Sequence, residues 1–568
     1  MRVSAGRWLG DSPVGTGLIW GAVAVFVALA GMVEAFAERR IIAGVVALGP
    51  ALPFLAALGA GYHAARRAGG RGALAVLGRG VGAGAATGLA VAGLVAAGGV
   101  LNLRAVFVNA SPALFSLLSL GLGPAGGFLP ILVGAAVGMG GAASSLVSDR
   151  ARRPVVTGLV AVLVIGLFQE MLQLMLAEGW IQSALRELLF APDALSRAGS
   201  VVVFFVAAGA SAAWTYRGER VRQQLMRVPP PQRRLLKLLG LGVGLAVMLV
   251  VPLVAGPFLS HVLVLVGLYV LMGLGLNLEV GYAGLLDLGF VAFFAIGAYT
   301  VGLLTSTGGL GVAQLSFWAA VPIAVLVSLA AGVILGVPVL RIRGDYLAIA
   351  TLGFGEIVRL LVLSDFLRPW LGGSQGLLTI PKPSIGGFEL RGPEHLFYLT
   401  LASSALVAFV AARLRDSRLG RAWMAVREDE DVAEAMGINL VNVKLLAYGL
   451  GAAFAGVGGA IFAVMLGSVF PHSFQLLISI NVLALIIVGG MGSMPGVVVG
   501  SLFLVGLPEL LREFADFRFL VYGAALVLMM QLRPEGLWPT AAIRRELHAG
   551  EEMGASRQGA WATTRHPG

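Results

Sequence analysis

The chain contains no cysteine, which excludes disulfides and thiolate metal sites. Lysine is almost as scarce: Lys237, Lys382 and Lys444 are the only three in 568 residues, and none follows a glycine-rich loop. There is no G-x-x-x-x-G-K-[ST] sequence, so the chain has no phosphate cradle with which to hydrolyse ATP itself. The six histidines (His63, His261, His395, His472, His548, His566) never fall at H-E-x-x-H or another ligand spacing, and no G-x-S-x-G elbow is present. Catalytic residues, a metal site and a cofactor bound by this chain are therefore not expected. Charge is also thin, at 12% of residues against 58% hydrophobic and 81 glycines. So much apolar material exceeds what a soluble core needs and implies a polytopic membrane protein.

What is present is long and apolar. Runs such as Val14 to Val33, Val155 to Leu176 and Leu445 to Val464 each approach the ~20 residues required to cross a ~30 Å hydrocarbon core. The expected fold class is all-α, a polytopic transmembrane helical bundle of about 14–16 membrane segments, since helices satisfy their own backbone polar groups in lipid. The 40 basic against 29 acidic residues are parcelled into short clusters between the apolar runs, with no single basic face. That pattern excludes nucleic acid as a partner and reports topology, with membrane lipid as the surroundings. Arg2 and Arg7, then Arg66, Arg67, Arg71 and Arg79, then Arg150, Arg152 and Arg153, then the run from Arg217 to Lys237 fall between alternate hydrophobic segments. Placing them inside makes the N-terminus cytoplasmic, and the C-terminus follows beside Arg533, Arg544 and Arg545. Six spans fit before residue 217, at about 14–36, 41–61, 80–101, 127–147, 155–177 and 199–216. The first run lacks a small-x-small cleavage site and reads as a retained helix. Arg39 and Arg40 would lie outside in this scheme, and 113–130, broken by Gly123, Pro124 and Gly127, reads as half a helix or an interfacial segment.

Domain boundaries follow from composition. Residues 1–216 form a multi-span membrane extension, and 217–237 a basic, proline-rich cytoplasmic linker in which Pro229 to Pro231 forbid a continuous helix and favour extended geometry. A second membrane domain covers 238–540, and 541–568 is a polar tail. Inside the second domain, 413–444 is a charge-dense, helix-prone island whose polarity keeps it out of the bilayer. Acids at Glu428 to Asp431 predict a helix start near Asp429, and Gly437 supplies its end. From the residues alone, the island is equally a contact for a cytoplasmic partner or a solvated connector with ordinary i,i+4 pairs.

Four further places interrupt apolar sequence. Asn277, Glu279, Tyr282 and Asp287 lie among Gly275, Gly281, Gly284 and Gly289. Polar groups at membrane depth are costly unless they face protein or a water path, and small residues permit close approach, which makes Asn277, Gly281, Gly284 and Gly289 translocation-pathway candidates. A cytoplasmic turn is at least as good a reading for the two carboxylates. Glu356 has Arg359 on its helical face, a pair that lines the pathway or staples helices. Gly372, Gly373, Ser374, Gln375 and Gly376 sit in the largest expected external loop, 368–394, and Gly489, Gly490, Gly492 and Gly496 mark a tight hairpin with Pro495 starting the next helix.

Five blocks in order, MGLGLNLEVGYAGLLDLGFVAFFAIGAYT (272–300), RIRGDYLAIATLGFGEIVRLL (341–361), LGGSQGL (371–377), SRLGRAWMAVREDEDVAEAMGINLVNVKLLAYGLGAAFAGVGGAIFA (417–463) and LALIIVGGMGSMPGVVVGSLFLVGLPELL (483–511), closely resemble the LivM-type permease of branched-chain amino acid ABC importers. The resemblance runs from about 240 to 540 and leaves 1–216 unmatched. It implies a transport subunit in a bacterial or archaeal inner (plasma) membrane. Its partners would be a LivH-like permease subunit, two ABC ATPase subunits that hold ATP-Mg, and an extracytoplasmic substrate-binding protein. It also moves the 413–444 island towards ATPase coupling, through Arg421, Glu428, Asp429, Glu434, Ala435 and Gly437, because Glu434, Ala435 and Gly437 resemble the EAA-type loop of permeases. The outer-loop residues Gly372 to Gly376 would then meet the binding protein or shape the outer gate. Urea or short amides are the alternative cargo, and an ion-coupled secondary transporter is the alternative class, although no internal repeat is evident.

Overall fold

The computed structural model describes residues 12–67, 72–122, 126–176, 180–227, 230–339, 342, 344–514, 517–533 and 535–539. The expected polar tail, Arg2, Arg7, Arg544 and Arg545 lie outside them. The chain divides into two compact units, Met1–Gly244 and Leu245–Gly568. Most of the described residues are helical, with two small sheets, as apolar sequence in lipid requires. Among the described residues, nine helices are long and apolar enough to cross a membrane and four shorter apolar helices accompany them. The expected polytopic helical bundle is therefore what the structure shows.

In the first unit the main helices are α1 (Pro13–Leu29), α2 (Leu48–Arg66), α3 (Ala73–Val100), α4 (Leu129–Leu146), α5 (Asp149–Leu167) and α6 (Arg197–Arg227). Ser12 caps α1 by accepting from Gly15 N, with Pro13 in the first turn where a missing N–H costs nothing. α3 and α4 pack through glycine: a methyl on Gly84 would collide with the Gly134 carbonyl, so the small residues set the backbone separation. Half of the broken 113–130 run is a short helix, Pro112–Leu118, with Leu114 and Leu118 buried.

The arginines that looked misplaced have a local use. Arg40 opens a strand, Arg40–Ile42, in a four-stranded sheet with Val46–Ala47, Ala194–Leu195 and Phe190–Ala191. Arg39 donates through Nη2 to the Leu167 carbonyl at 2.8 Å, meeting an orphan acceptor at the end of α5.

The proline-rich run is not extended over its length. Helix α6 continues to Arg227 and α7 (Pro230–Leu276) begins at the second proline, whose fixed φ suits a first helical turn. α7 is itself broken at Gly256, where φ is +76° and only glycine is unstrained.

The second unit continues with α8 (Val291–Thr305), α9 (Phe317–Val339), α10 (Asp345–Leu363), α11 (Pro393–Asp416), α12 (Arg418–Glu428), α13 (Glu430–Ala435), α14 (Leu440–Leu466), α15 (Leu476–Gly489), α16 (Met494–Ser501) and α17 (Phe517–Leu532). α14 is the axis of the unit, buried over most of its length, with α8 and α9 packed along it. Its small residues make this possible: a Cβ on Gly459 would collide with the Phe294 carbonyl of α8. Phe294, Phe462 and Phe474 fill the space between, with ring centroids 5.2 to 5.8 Å apart.

Candidate functional site

The centre of the second unit is where α7 stops being an α-helix. From Asn277 to Tyr282 the backbone widens into a π-helical turn, and the chain then crosses without regular structure to α8. Irregular backbone in a membrane protein survives only when buried in protein or lining a cavity. Here it is buried: Asn277, Glu279 and Asp287 are each at most 1% exposed. The reading of Glu279 and Asp287 as residues of a cytoplasmic turn is corrected by that burial. The turn exists, with Gly284 exposed at φ +73°, but Glu279 and Asp287 on either side of it are enclosed.

Some of the polar groups in this passage are held locally. Asp287 accepts from Gly289 N at 2.7 Å, and Thr351 of α10 accepts from Leu288 N at 3.0 Å. Both Glu279 carboxylate oxygens and the second Asp287 oxygen are buried with no hydrogen-bond partner among the described residues. Gly451 of α14 faces Glu279 so closely that a Cβ there would strike the carboxylate. Asn277 accepts through Oδ1 from Gly492 N at 2.9 Å, tying the π turn to the hairpin between α15 and α16.

That hairpin is tight for the reasons its sequence gives. Gly490 and Gly492 have φ of +114° and +76°, Ser493 caps α16 by accepting from Gly496 N, and Pro495 sits in the first turn. A methyl on Gly489 would collide with the Gly496 carbonyl.

Of the pathway candidates, the structure buries Asn277, Gly281 and Gly289 in this passage, while Gly284 stands exposed at its turn. Gly281 fits against the Asn277 amide, and Gly289 backs onto the α10 backbone at Thr351. Glu356 and Arg359 do not join them. They form an ion pair along α10, with side chains 41% and 27% exposed, and Arg359 lines a narrow cleft with Tyr299, Val362 and Phe474.

The 413–444 island is two helices. Asp429 caps α13 by accepting from Asp431 N and Val432 N, and Gly437, at φ +86°, ends it, as the acids and glycine in the sequence indicate. α12 before it was not separated by the sequence reading. Its buried face carries Trp423, fully enclosed, whose indole N–H donates to the Val443 carbonyl at 2.8 Å. Lys444, 5% exposed, pairs with Glu430 at 2.7 Å. α12 and α13 are thus fastened to the start of α14, while Val432, Glu434, Ala435 and Met436 remain exposed. Arg421 and Glu428 are exposed as well.

One residue missed by sequence reasoning joins the two regions. Arg427, in the last turn of α12, donates through Nη1 to the Gly281 carbonyl in the π turn. Its side chain also lies where a Cβ on Gly284 would be. Only the coincidence of an arginine in the island with glycines in the 272–300 block hinted at this, and no spacing rule connects residues 146 apart.

Removing the Lys444 ammonium leaves Glu430 without that cation beside α14. Lys444→Met is expected to loosen α13 by about 1–3 kcal/mol. Limited proteolysis should then cut within 429–437 several-fold faster, with cleavage of the rest of the second unit unchanged.

The 368–394 loop is also anchored at the end of α14. Leu377 exchanges backbone hydrogen bonds with Val469, and Ile380 N donates to Gly467 O at 2.9 Å. Lys382 donates to the carbonyls of Val464 and Met465 at 2.6 and 2.8 Å, closing the C-terminal end of the helix. Partial burial pulls this ammonium below the ordinary lysine pKa. Gly372, Gly373 and Gly376 all have positive φ, which presents Ser374 and Gln375 outward. Lys382→Met is expected to raise amide hydrogen exchange of 377–383 about tenfold, with the α8 core protected as before.

A bundle of apolar helices around a broken, polar, close-packed helix and carrying a braced polar helix pair is the architecture of a multi-pass membrane permease. Comparison with known proteins identifies which kind. The family model for the branched-chain amino acid transport system permease component matches residues 258–530. The high-affinity branched-chain amino acid transport system permease protein LivM of Salmonella typhimurium is 43% identical over 310 residues, covering 50% of this chain and 71% of its own length. LivM of Escherichia coli is 42% identical over 336 residues, covering 54% and 77%. The LivH permease protein of Salmonella typhimurium is 27% identical over 194 residues, covering 32% and 62%. No solved structure matches the chain significantly. The chain belongs to the LivM-type family of branched-chain amino acid transport permeases.

Proposed function

We propose that the chain is the transmembrane permease subunit of an ATP-driven importer of branched-chain or related amino acids. The observation that carries the mechanism is the bond from Arg427 to Gly281, which connects the exposed helix pair to the one place where a buried helix is broken. α12 and α13 would receive the closing motion of an ATPase subunit through Glu434, Ala435 and the exposed Val432 and Met436. Arg427 would pass it to the π turn, whose widened backbone is a ready hinge. The hairpin held by Asn277 would move with it, altering the passage between α7, α8 and α14.

Partners follow from this reading. A second, LivH-like permease subunit would complete the pathway, two ATPase subunits would bind and hydrolyse ATP with Mg, and an extracytoplasmic binding protein would dock near Ser374 and Gln375. No cofactor is required of this chain. The setting would be a bacterial or archaeal plasma membrane, with both termini cytoplasmic under the positive-inside bias. Residues 238–540 would suffice for transport.

Vesicles containing the chain with its partners should accumulate labelled leucine when ATP is inside and an ion gradient is absent. Uptake driven by the gradient alone would contradict the importer class. Uptake of urea without leucine would retain the class and change the cargo.

A further inference from the structure

The first unit carries a groove with no part in the reading above. It lies between α2, α4, α5 and α6 and has a volume of about 870 Å³. Leu58, Val156, Ala207 and Ala210 make it apolar along its length. At one end it turns polar and cationic, where Arg152 and Arg153 of α5 join Tyr62 of α2 and Trp214 of α6 in its lining.

Positive charge is concentrated at that end. The guanidinium carbons of Arg66 and Arg152 both stand 5.7 Å from the centroid of the single Tyr62 ring. One aromatic face offers each cation about 0.5–1 kcal/mol at an exposed site, and the two cations repel each other. Arg153 adds a third positive charge on the next residue. Among the described residues, neither Arg66 nor Arg153 is paired with a carboxylate. Thr157, Ser211 and Thr215 line the wall beside the cations, with Thr157 and Ser211 hydroxyls 3.2 Å apart. Trp214 is 76% exposed, an aromatic placed where an interfacial ring would sit.

We propose that this groove binds an anionic phospholipid of the surrounding bilayer. The phosphate diester sits against Arg66, Arg152 and Arg153, and an acyl chain runs along Leu58, Val156, Ala207 and Ala210. Charge complementarity selects this occupant. Arginine presents planar paired donors that match phosphate oxygens, and the apolar floor continues in the direction a lipid tail must take. Basic pockets between helices at a membrane surface favour anionic over zwitterionic head groups for the same reason. The lipid would stitch together α2, α5 and α6 where the protein's own packing leaves space.

The test uses the purified full-length chain in a neutral detergent, titrated with dioleoyl phosphatidylglycerol or dioleoyl phosphatidylcholine and read by native mass spectrometry. The wild type is expected to retain phosphatidylglycerol at least roughly tenfold more tightly than phosphatidylcholine, a difference of about 1.4 kcal/mol. R152Q/R153Q is expected to abolish that preference, R152K/R153K to keep most of it, and R413Q, which alters an arginine over Phe409 in the second unit, to leave it intact. Equal retention of both lipids by the wild type, or an unchanged preference in R152Q/R153Q, overturns the proposal. So does a dimer that retains no lipid, which would give the groove to a second copy. Should R152Q/R153Q fail to fold, phosphatidylglycerol brominated in its acyl chain provides the second readout. It is expected to quench wild-type fluorescence more than that of Trp214→Phe, and equal quenching overturns the assignment.

Discussion

Gly289→Val is expected to prevent the second unit from reaching its native packing. The Cβ would meet the carbonyl of Thr351 on α10, and the carbonyl carbon and the Gly355 nitrogen lie directly behind it, so the obstacle is backbone that cannot rotate away. Overpacking a close-packed interior costs about 1–3 kcal/mol when side chains can shift, and this site lies above that range because a helix must move. Displacing α10 would also pull Thr351 from Leu288 N and disturb the seat of Asp287. The measurable results are a lower thermal midpoint, loss of monodisperse protein in detergent and no transport. Gly353→Ala, on the same helix with nothing near its Cβ position, serves as the control. It should stay within about 0.5 kcal/mol of wild type or gain slightly from the better helix propensity of alanine.

Asn277→Ala is expected to reduce uptake at least roughly tenfold while most of the fold persists. The substitution removes the acceptor for Gly492 N, leaving a buried backbone donor without that partner at a cost of about 1–3 kcal/mol. Two buried elements lose their link, the π turn and the α15–α16 hairpin, although the hairpin keeps its own bonds, from Ser493 N to the Gly490 carbonyl and from Trp538 N to the Gly489 carbonyl. The effect should exceed that of Glu356→Gln on α10, where the ion pair stands apart from the π turn and the hairpin. Comparing initial uptake rates at equal amounts of assembled complex separates the two. A larger loss for Glu356→Gln would move the pathway to the Arg359 cleft.

Much of this was legible in the sequence because membrane helices announce themselves by length and polarity. The spans, the cap at Asp429, the stop at Gly437 and the hairpin at Gly490 to Pro495 follow from local rules about helix ends and glycine. Legibility failed where the answer depends on what lies across the bundle. Glu279 and Asp287 read as a turn because a single sequence shows polarity but not the helices that fold over it. Arg427 and Gly281 are far apart along the chain, and Arg39 is needed only because α5 ends beside it. The proline run misled in the opposite direction. Three prolines do break a helix, but a proline at a first turn also starts one, and α7 uses it that way.

The central claim is that the exposed helix pair transmits ATP-driven motion to the broken helix. It is tested most directly by ATP-dependent uptake of labelled leucine into vesicles containing the chain and its partners, wild type against Glu434→Arg. Glu434 is exposed on α13 and plays no part in the core, so the variant should fold and assemble. The account predicts that leucine uptake is lost while the complex remains intact on size-exclusion chromatography. Uptake equal to wild type in the assembled variant would contradict it.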